Sequence, residues 1–228
     1  MIAALRVLRR AFSEAWDALV LLAVLNLAWL GLSLLVVFFP PATAALFETT
    51  REIARGRSPT VRDLLRGVRR HFWRAWAWAL LNTVVGVIVV VNVAFYGSMD
   101  AAWAGLVQGV VVVLAVLWLV TQLLVWPYAF AQEEPELRQA IRNAVLTVLA
   151  APLFALTIGV VVIALVAVSV LLVAPIAVFT AAFIALLGNL ALFDRLRAFG
   201  KSPEPAPIDD EDRADTGAAG GAARTRLS

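Results

Sequence analysis

The side chains able to do chemistry are few, and their surroundings limit what they can do. The single histidine, His71, lies among Arg69, Arg70 and Arg74. A lone imidazole with no second histidine and no carboxylate beside it lacks the companions of a zinc site and the partner of a general base. It reads as an incidental interfacial histidine. The chain has no cysteine, which excludes disulfides, thiolate metal sites and cysteine nucleophiles. Glu133, Glu134 and Glu136 could form a carboxylate cluster. They also surround Pro135, where acids suit the positive end of a starting helix. No phosphate-cradling glycine loop, HExxH or GxSxG is present. The expectation is a non-enzyme with no cofactor and no metal.

Two other groups remain. Asn26, Asn82, Asn92, Gln108, Gln122 and Asn189 are amides placed in long apolar runs. They could line a path for a neutral, hydrogen-bonding solute such as a sugar. They could equally join helices, at about 0.6 kcal/mol per hydrogen bond. The second group is basic: Arg62, Arg66, Arg69, Arg70 and Arg74 recur on one stretch. The runs at 18–39, 75–99, 101–132 and 143–193 contain no Asp, Glu, Lys, Arg or His. Proton relays and voltage sensors need ionisable groups inside the membrane, so a proton-coupled pump is disfavoured.

The elements that must position these residues are set by composition. Of 228 residues, 62% are hydrophobic and 15% charged, and mean hydropathy is +0.89. Soluble domains are about 25% charged, so a water-soluble globular protein is excluded. A helix needs about 20 apolar residues to cross the hydrocarbon core. The fold class is therefore all-α: a polytopic helical membrane protein of about five transmembrane helices, at 18–39, 75–96, 106–128, 145–167 and 171–193, with amphipathic interfacial helices. Three parts are expected: an amphipathic N-terminal segment 1–17, a helical membrane domain 18–200, and a disordered cytoplasmic tail 201–228, rich in Pro, Asp and small residues. The first apolar run is too long for a signal-peptide core and lacks an A-x-A site, so it reads as a retained helix.

Net charge is +3, and eight of the 19 basic residues fall between Arg51 and Arg74. This clustering is a positive-inside signal and not a nucleic-acid footprint. The 40–74 segment, the 131–143 loop and the C-terminus are expected to be cytoplasmic. Five spans then put the N-terminus outside, against the vote of Arg6, Arg9 and Arg10. The alternative is a sixth, partial crossing by 41–54, which puts the N-terminus inside.

Between the spans, residues 2–17 form an amphipathic helix with Ile2, Leu5, Leu8, Phe12 and Trp16 on one stripe. Pro41 begins a short helix that Gly56 stops. Thr60 caps the next, with Asp63 three residues on. There Val61, Leu64, Leu65, Val68 and Phe72 make the apolar stripe, opposite the five arginines. This basic helix is expected to lie along the inner leaflet, where each cation is worth about 1 kcal/mol near anionic lipid. It is either a docking surface or a topology anchor. Gly105 and Gly109 form a small-xxx-small pair. Trp16, Trp73, Trp76, Trp103, Trp126, Tyr96 and Tyr128 suit interfacial belts.

These residues carry a resemblance. Asn26-Leu27-Ala28-Trp29, then Pro41-Ala42-Thr43-Ala44-Ala45-Leu46, Arg55-Gly56, and Phe72 with Arg74-Ala75 resemble the YesL-like family of bacterial membrane proteins, a domain of unknown function. Trp126-Pro127-Tyr128, the helix at 137–144 and Pro152 are similar too. Pro40 stands where the family tends to have glycine. The resemblance covers about residues 10–197. It implies a multi-pass protein of the bacterial plasma membrane, encoded near carbohydrate uptake and polysaccharide degradation genes, with no catalytic residues to carry over. Three functions follow as expectations: a non-enzymatic accessory component of carbohydrate uptake, docking on a sugar-transporter permease; a transporter or channel for a small neutral solute; and an envelope protein binding anionic lipid. Its partners would be the lipid bilayer, a permease or a second copy of itself, and no nucleic acid.

Overall fold

The computed structural model describes residues 2–132, 136–172 and 179–200. The tail at 201–228, Glu133, Glu134, Pro135 and part of the fifth expected span lie outside the described residues. Among the described residues the regular structure is all helical: α1 (Ile2–Asp17), α2 (Leu19–Ser33), a 3-10 turn (Val36–Phe38), α3 (Phe39–Ile53), α4 (Val61–Gly97), α5 (Ala102–Ala131), α6 (Leu137–Ala150), α7 (Pro152–Leu172) and α8 (Ala181–Ala198).

Three helices are long and apolar enough to cross a membrane: α4, Trp103–Ala131 of α5, and Pro152–Ser169 of α7. The second and third expected spans fall inside α4 and α5. The other three differ. The run at 18–39 is not one helix: α2 stops at Ser33, and Pro40 and Pro41, which have no N–H to give a preceding turn, open α3 instead. Fifteen residues rise about 22 Å, short of the hydrocarbon core. The expected 145–167 span is broken at Ala151, whose φ −138° and ψ 62° leave the helix. A residue before proline is pushed out of the α region, and Pro152 then starts α7. In the fifth, α8 starts at Ala181 and runs to Ala198, carrying Asp194, Arg195 and Arg197.

α4 and α5 form the longest hairpin. Its rungs are the His71 and Phe130 rings at 5.0 Å, Trp78 and Trp118 at 5.6 Å, and Tyr96 and Trp103 at 6.1 Å. At 37 residues α4 is about 55 Å long. Its outer half presents Leu80, Val84, Val87, Val91 and Phe95 outward, a face suited to acyl chains and not to water.

α3 lies antiparallel to the first half of α4. Trp76 Nε1 donates to the Val37 carbonyl at 3.0 Å, Phe38 meets Phe72, and Glu48 meets Arg70 and His71. α2 lies antiparallel to α3: Trp29 Nε1 donates to Thr43 Oγ1 at 3.1 Å near the turn, while Leu21 and Val24 share a cleft with Ile53, Ala54 and Arg55 at the open end. The α2–α3 hairpin thus returns to the end it started from. α1 meets α2 at 88° and packs on α8, so that Arg6 and Arg10 line one cleft with Arg195 and Arg197. Arg10 also lines the cleft that holds Arg55 and Arg57. One end of the molecule therefore gathers the basic residues of α1, the α3–α4 turn and α8. This sets the N-terminal helix at the same end as the Arg51–Arg74 segment, where the partial-crossing alternative expects it, and not opposite that segment.

α1 also packs differently from its apolar stripe. Its small residues Ala4, Val7, Ala11 and Ala15 are buried, while Leu5, Phe12 and Trp16 are exposed. Close approach to α8 needs small side chains, and the large ones are left for the membrane.

Candidate functional site

The charged residues converge where α3 crosses α4. The inner face of α4 is Leu64, Gly67, Val68, His71 and Ala75, all buried, while Leu65, expected there, is half exposed. Gly67 is required by the approach of α3: a Cβ at this position would stand 2.9 Å from the Ala45 Cβ and 2.8 Å from Glu48 Oε2. Ala44 and Ala45 of the Pro41–Leu46 motif are fully buried, so the motif's small residues serve the same close contact. Pro41, Ala42 and Leu46 are buried beside them, and Thr43 accepts from Trp29 and donates to the Phe39 carbonyl at 2.9 Å. Gly56, with φ 75°, occupies the left-handed conformation that lets the chain leave α3. Thr60 N–H and its hydroxyl both donate to Asp63 Oδ2, at 2.8 and 2.7 Å, fixing the start of α4.

His71 is therefore not incidental. It is buried, its Nε2 lies 3.0 Å from Glu48 Oε2, and Arg70 holds the other carboxylate oxygen at 2.9 Å. Burial pushes the Glu48 carboxyl up, but the His71 hydrogen bond and charge, with those of Arg70, outweigh it and hold it below the usual carboxylate range. The partner was invisible in sequence because Glu48 is 23 residues away. The helical register of Gly67 and His71, one turn apart on the inner face, is the signal available in the sequence, and the reading of His71 as incidental leaves it unused. Arg51, one turn along α3 from Glu48, is also buried. Burial first, and then Arg55, push its guanidinium down to about 10, with Glu52 and Glu48 opposing.

The five arginines of α4 are all exposed. Arg70 pairs with Glu48, and Arg66 with Asp63 at 2.8 Å. Among the described residues no carboxylate lies in ion-pair reach of Arg62, Arg69 or Arg74. Leu65 and Trp73 share this outer face, Trp73 at 80% exposure. The face does not lie flat on the leaflet as expected. It is continuous with the crossing part of α4, and Arg62 stands about 18 Å along the axis from Arg74.

The intramembrane amides do not assemble into one path. Asn26 Oδ1 accepts from the Ala182 N–H at 2.9 Å, capping α8 from α2. Asn189 donates to the Phe47 carbonyl at 2.9 Å and to Thr50 Oγ1 at 3.2 Å, joining α8 to α3. Gln108 donates to the Val93 carbonyl at 3.0 Å, joining α5 to α4. Asn92 donates within its own helix to Ile88. Asn82 accepts from Trp118 Nε1 at 3.1 Å and donates to the Trp78 carbonyl. Asn82 and Gln122 face a common cavity, of about 690 Å³.

Residues 22–93 match the model of a family described as "Protein of unknown function, DUF624", which includes the YesL-like proteins. The match spans α3 and most of α2 and α4. It takes in Asn26–Trp29, the Pro41–Leu46 motif, Gly56 and the Gly67–Ala75 face, and stops short of Trp126-Pro127-Tyr128 and Pro152. No curated protein and no solved structure matches the chain.

Proposed function

We propose that this chain, YesL-like over residues 22–93, is a membrane-embedded docking protein whose outer α4 face engages an acidic surface of a membrane transport partner. The observation that carries the reading is that Arg62, Arg69 and Arg74 are exposed and have no carboxylate partner among the described residues, while the opposite face of the same helix is fixed against α3 by Glu48 and His71. Arg62 and Arg69, two turns apart on one face of α4 and flanked by Leu65 and Trp73, suit a protein contact, where arginine and tryptophan supply most of the energy. If exposed Trp73 marks the headgroup level, Arg62 and Arg66 stand beyond the Debye length of about 8 Å, so lipid headgroups reach only the inner part of the row. The partner's identity as a sugar permease, the plasma-membrane location and the cytoplasmic placing of this face rest on the family resemblance and the positive-inside rule.

The test is co-purification from native membranes in nanodiscs, for the native chain and for Arg62→Gln/Arg66→Gln/Arg69→Gln. A stoichiometric permease subunit that the triple variant loses, with insertion unchanged, is expected. Equal recovery of the partner by the triple variant overturns docking through this face. Retention on anionic vesicles that falls with salt, without a protein partner, would assign the face to lipid instead.

A further inference from the structure

The cavity at the heart of the membrane region is not part of the docking face. It lies between α3, α4, α5, α7 and α8, and its α4 wall runs from Ala75 to Thr83, beginning two residues beyond exposed Trp73. The wall is overwhelmingly apolar. Of the exposed side chains on its rim, Val36, Phe39 and Leu119 are apolar, and the fourth, Thr83, spends its hydroxyl on the Ala79 carbonyl of its own helix, so the opening suits acyl chains.

Four polar side chains interrupt this wall. Thr43 and Thr83 donate to carbonyls of their own helices, and Asn82 is held by Trp78 and Trp118. Gln122 is the exception: its buried amide nitrogen has no hydrogen-bond partner. A buried donor left without an acceptor is destabilising, and an apolar helix wall gains nothing from keeping it. Gln122 is one turn, about 6 Å, along α5 from Trp126. The wall opposite it starts at the aromatic level and reaches about 12 Å inward along α4. The interfacial layer is about 5–8 Å thick on each side of the hydrocarbon core, so Gln122, about 6 Å inside the aromatic level, stands where glycerolipid ester carbonyls give way to hydrocarbon.

We infer that this cavity binds one acyl chain of a bilayer glycerolipid, entered sideways past Leu119, with the ester carbonyl of that chain accepting from the Gln122 amide. The site needs no charged headgroup contact, and it stands or falls separately from docking through Arg62–Arg74.

The full chain, reconstituted in phosphatidylcholine vesicles, is exposed to a phosphatidylcholine probe with a diazirine in one ester-linked acyl chain, and in parallel to its ether-linked analogue, which lacks the carbonyl. Adducts are mapped by mass spectrometry. Labelling of Leu119–Leu123 at least five-fold above Val110–Val113 is expected, although Val120, Thr121 and Leu123 are buried and Val110, Val112 and Val113 are exposed, with the ester probe several-fold above the ether analogue. Ala79→Trp, which fills the cavity, removes the excess, and Gln122→Leu brings the ester probe down to the ether level. Thr83→Leu is a milder filling variant that decides the matter if Ala79→Trp is misfolded by circular dichroism. Labelling no higher than on the outer face, labelling indifferent to filling, or equal labelling by ester and ether probes overturns the assignment.

Discussion

Glu48 of α3 and His71 of α4 meet at 3.0 Å, and His71 is only 3% exposed although it stands on a helix otherwise studded with exposed arginines. One carboxylate ties together the buried histidine and the exposed Arg70, so the inner and outer faces of α4 are fixed by the same residue. Glu48→Gln takes the carboxylate away from His71 and Arg70, and His71→Phe leaves Glu48 with Arg70 alone; each is expected to lower stability by about 1.5–3 kcal/mol. The double variant should lose less than the sum, read by thermal unfolding in detergent. Additive losses would mean that the two do not act as a pair.

The same pair sets an acid limit. Glu48 has a lower pKa in the folded chain than its ordinary value of 4.5. The unfolded chain therefore binds this proton more readily. The stabilisation is complete above about pH 4.5 and is lost as pH falls through the folded value. Native protein should show a fall in melting temperature below that point, and Glu48→Gln should flatten the Glu48 part of it. An identical acid profile for both would contradict the assignment.

Gly67 offers a second check on the α3–α4 contact. Alanine favours a helix over glycine by about 1 kcal/mol, so an open position should gain from Gly→Ala. Gly86 has nothing within 4 Å of its added Cβ, whereas that of Gly67 meets Ala45 and Glu48. Gly67→Ala is expected to destabilise by about 1–3 kcal/mol through overpacking, and Gly86→Ala to be neutral or stabilising. The melting temperatures of the two variants, compared directly, decide this.

Gly188 of α8 has a related origin. Pro127 inside α5 has no N–H to give the Leu123 carbonyl four residues back. α8 approaches at that carbonyl: a Cβ on Gly188 would stand 2.6 Å from Leu123 O and 3.0 Å from Phe47. Gly188→Ala should therefore loosen α8 from α5 and α3, at a cost of about 1–3 kcal/mol. Increased proteolysis within α8, together with a lower melting temperature, is the expected readout. Asn189 is the adjoining link to α3, so Asn189→Ala should give the same pattern more weakly.

Sidedness follows from the α2–α3 hairpin. Single cysteines at exposed Ser13 and Ser58 should react with an impermeant thiol reagent from one side of the membrane, and one at Ser98, at the far turn of the α4–α5 hairpin, from the other. Since the native chain has no cysteine, each signal is unambiguous. Ser13 and Ser58 labelling from opposite sides would restore a full crossing between them.

Much of this was legible without a structure. Apolar runs of helical length with almost no charge determine an all-helical membrane protein, because a chain in hydrocarbon has to satisfy its backbone internally. The spacing of arginines on α4, the Thr60–Asp63 start, the Gly56 stop and the family motif are local in sequence, and each appears where it was read. Tertiary structure decided what depends on distant partners. Whether an apolar run stays one helix or turns back was not set by proline alone: at Pro40 and Pro41 α2 ends and α3 folds back along it, with Trp29 and Thr43 meeting near the turn, whereas α5 runs on through Pro127 with its freed Leu123 carbonyl facing Gly188 of α8. Hydropathy treats both alike. It also could not tell that the small face of α1 faces inward, or that His71 faces Glu48. Both follow from which helix lies alongside, and helix adjacency in a membrane is set by close fit and hydrogen bonds between residues far apart in the chain.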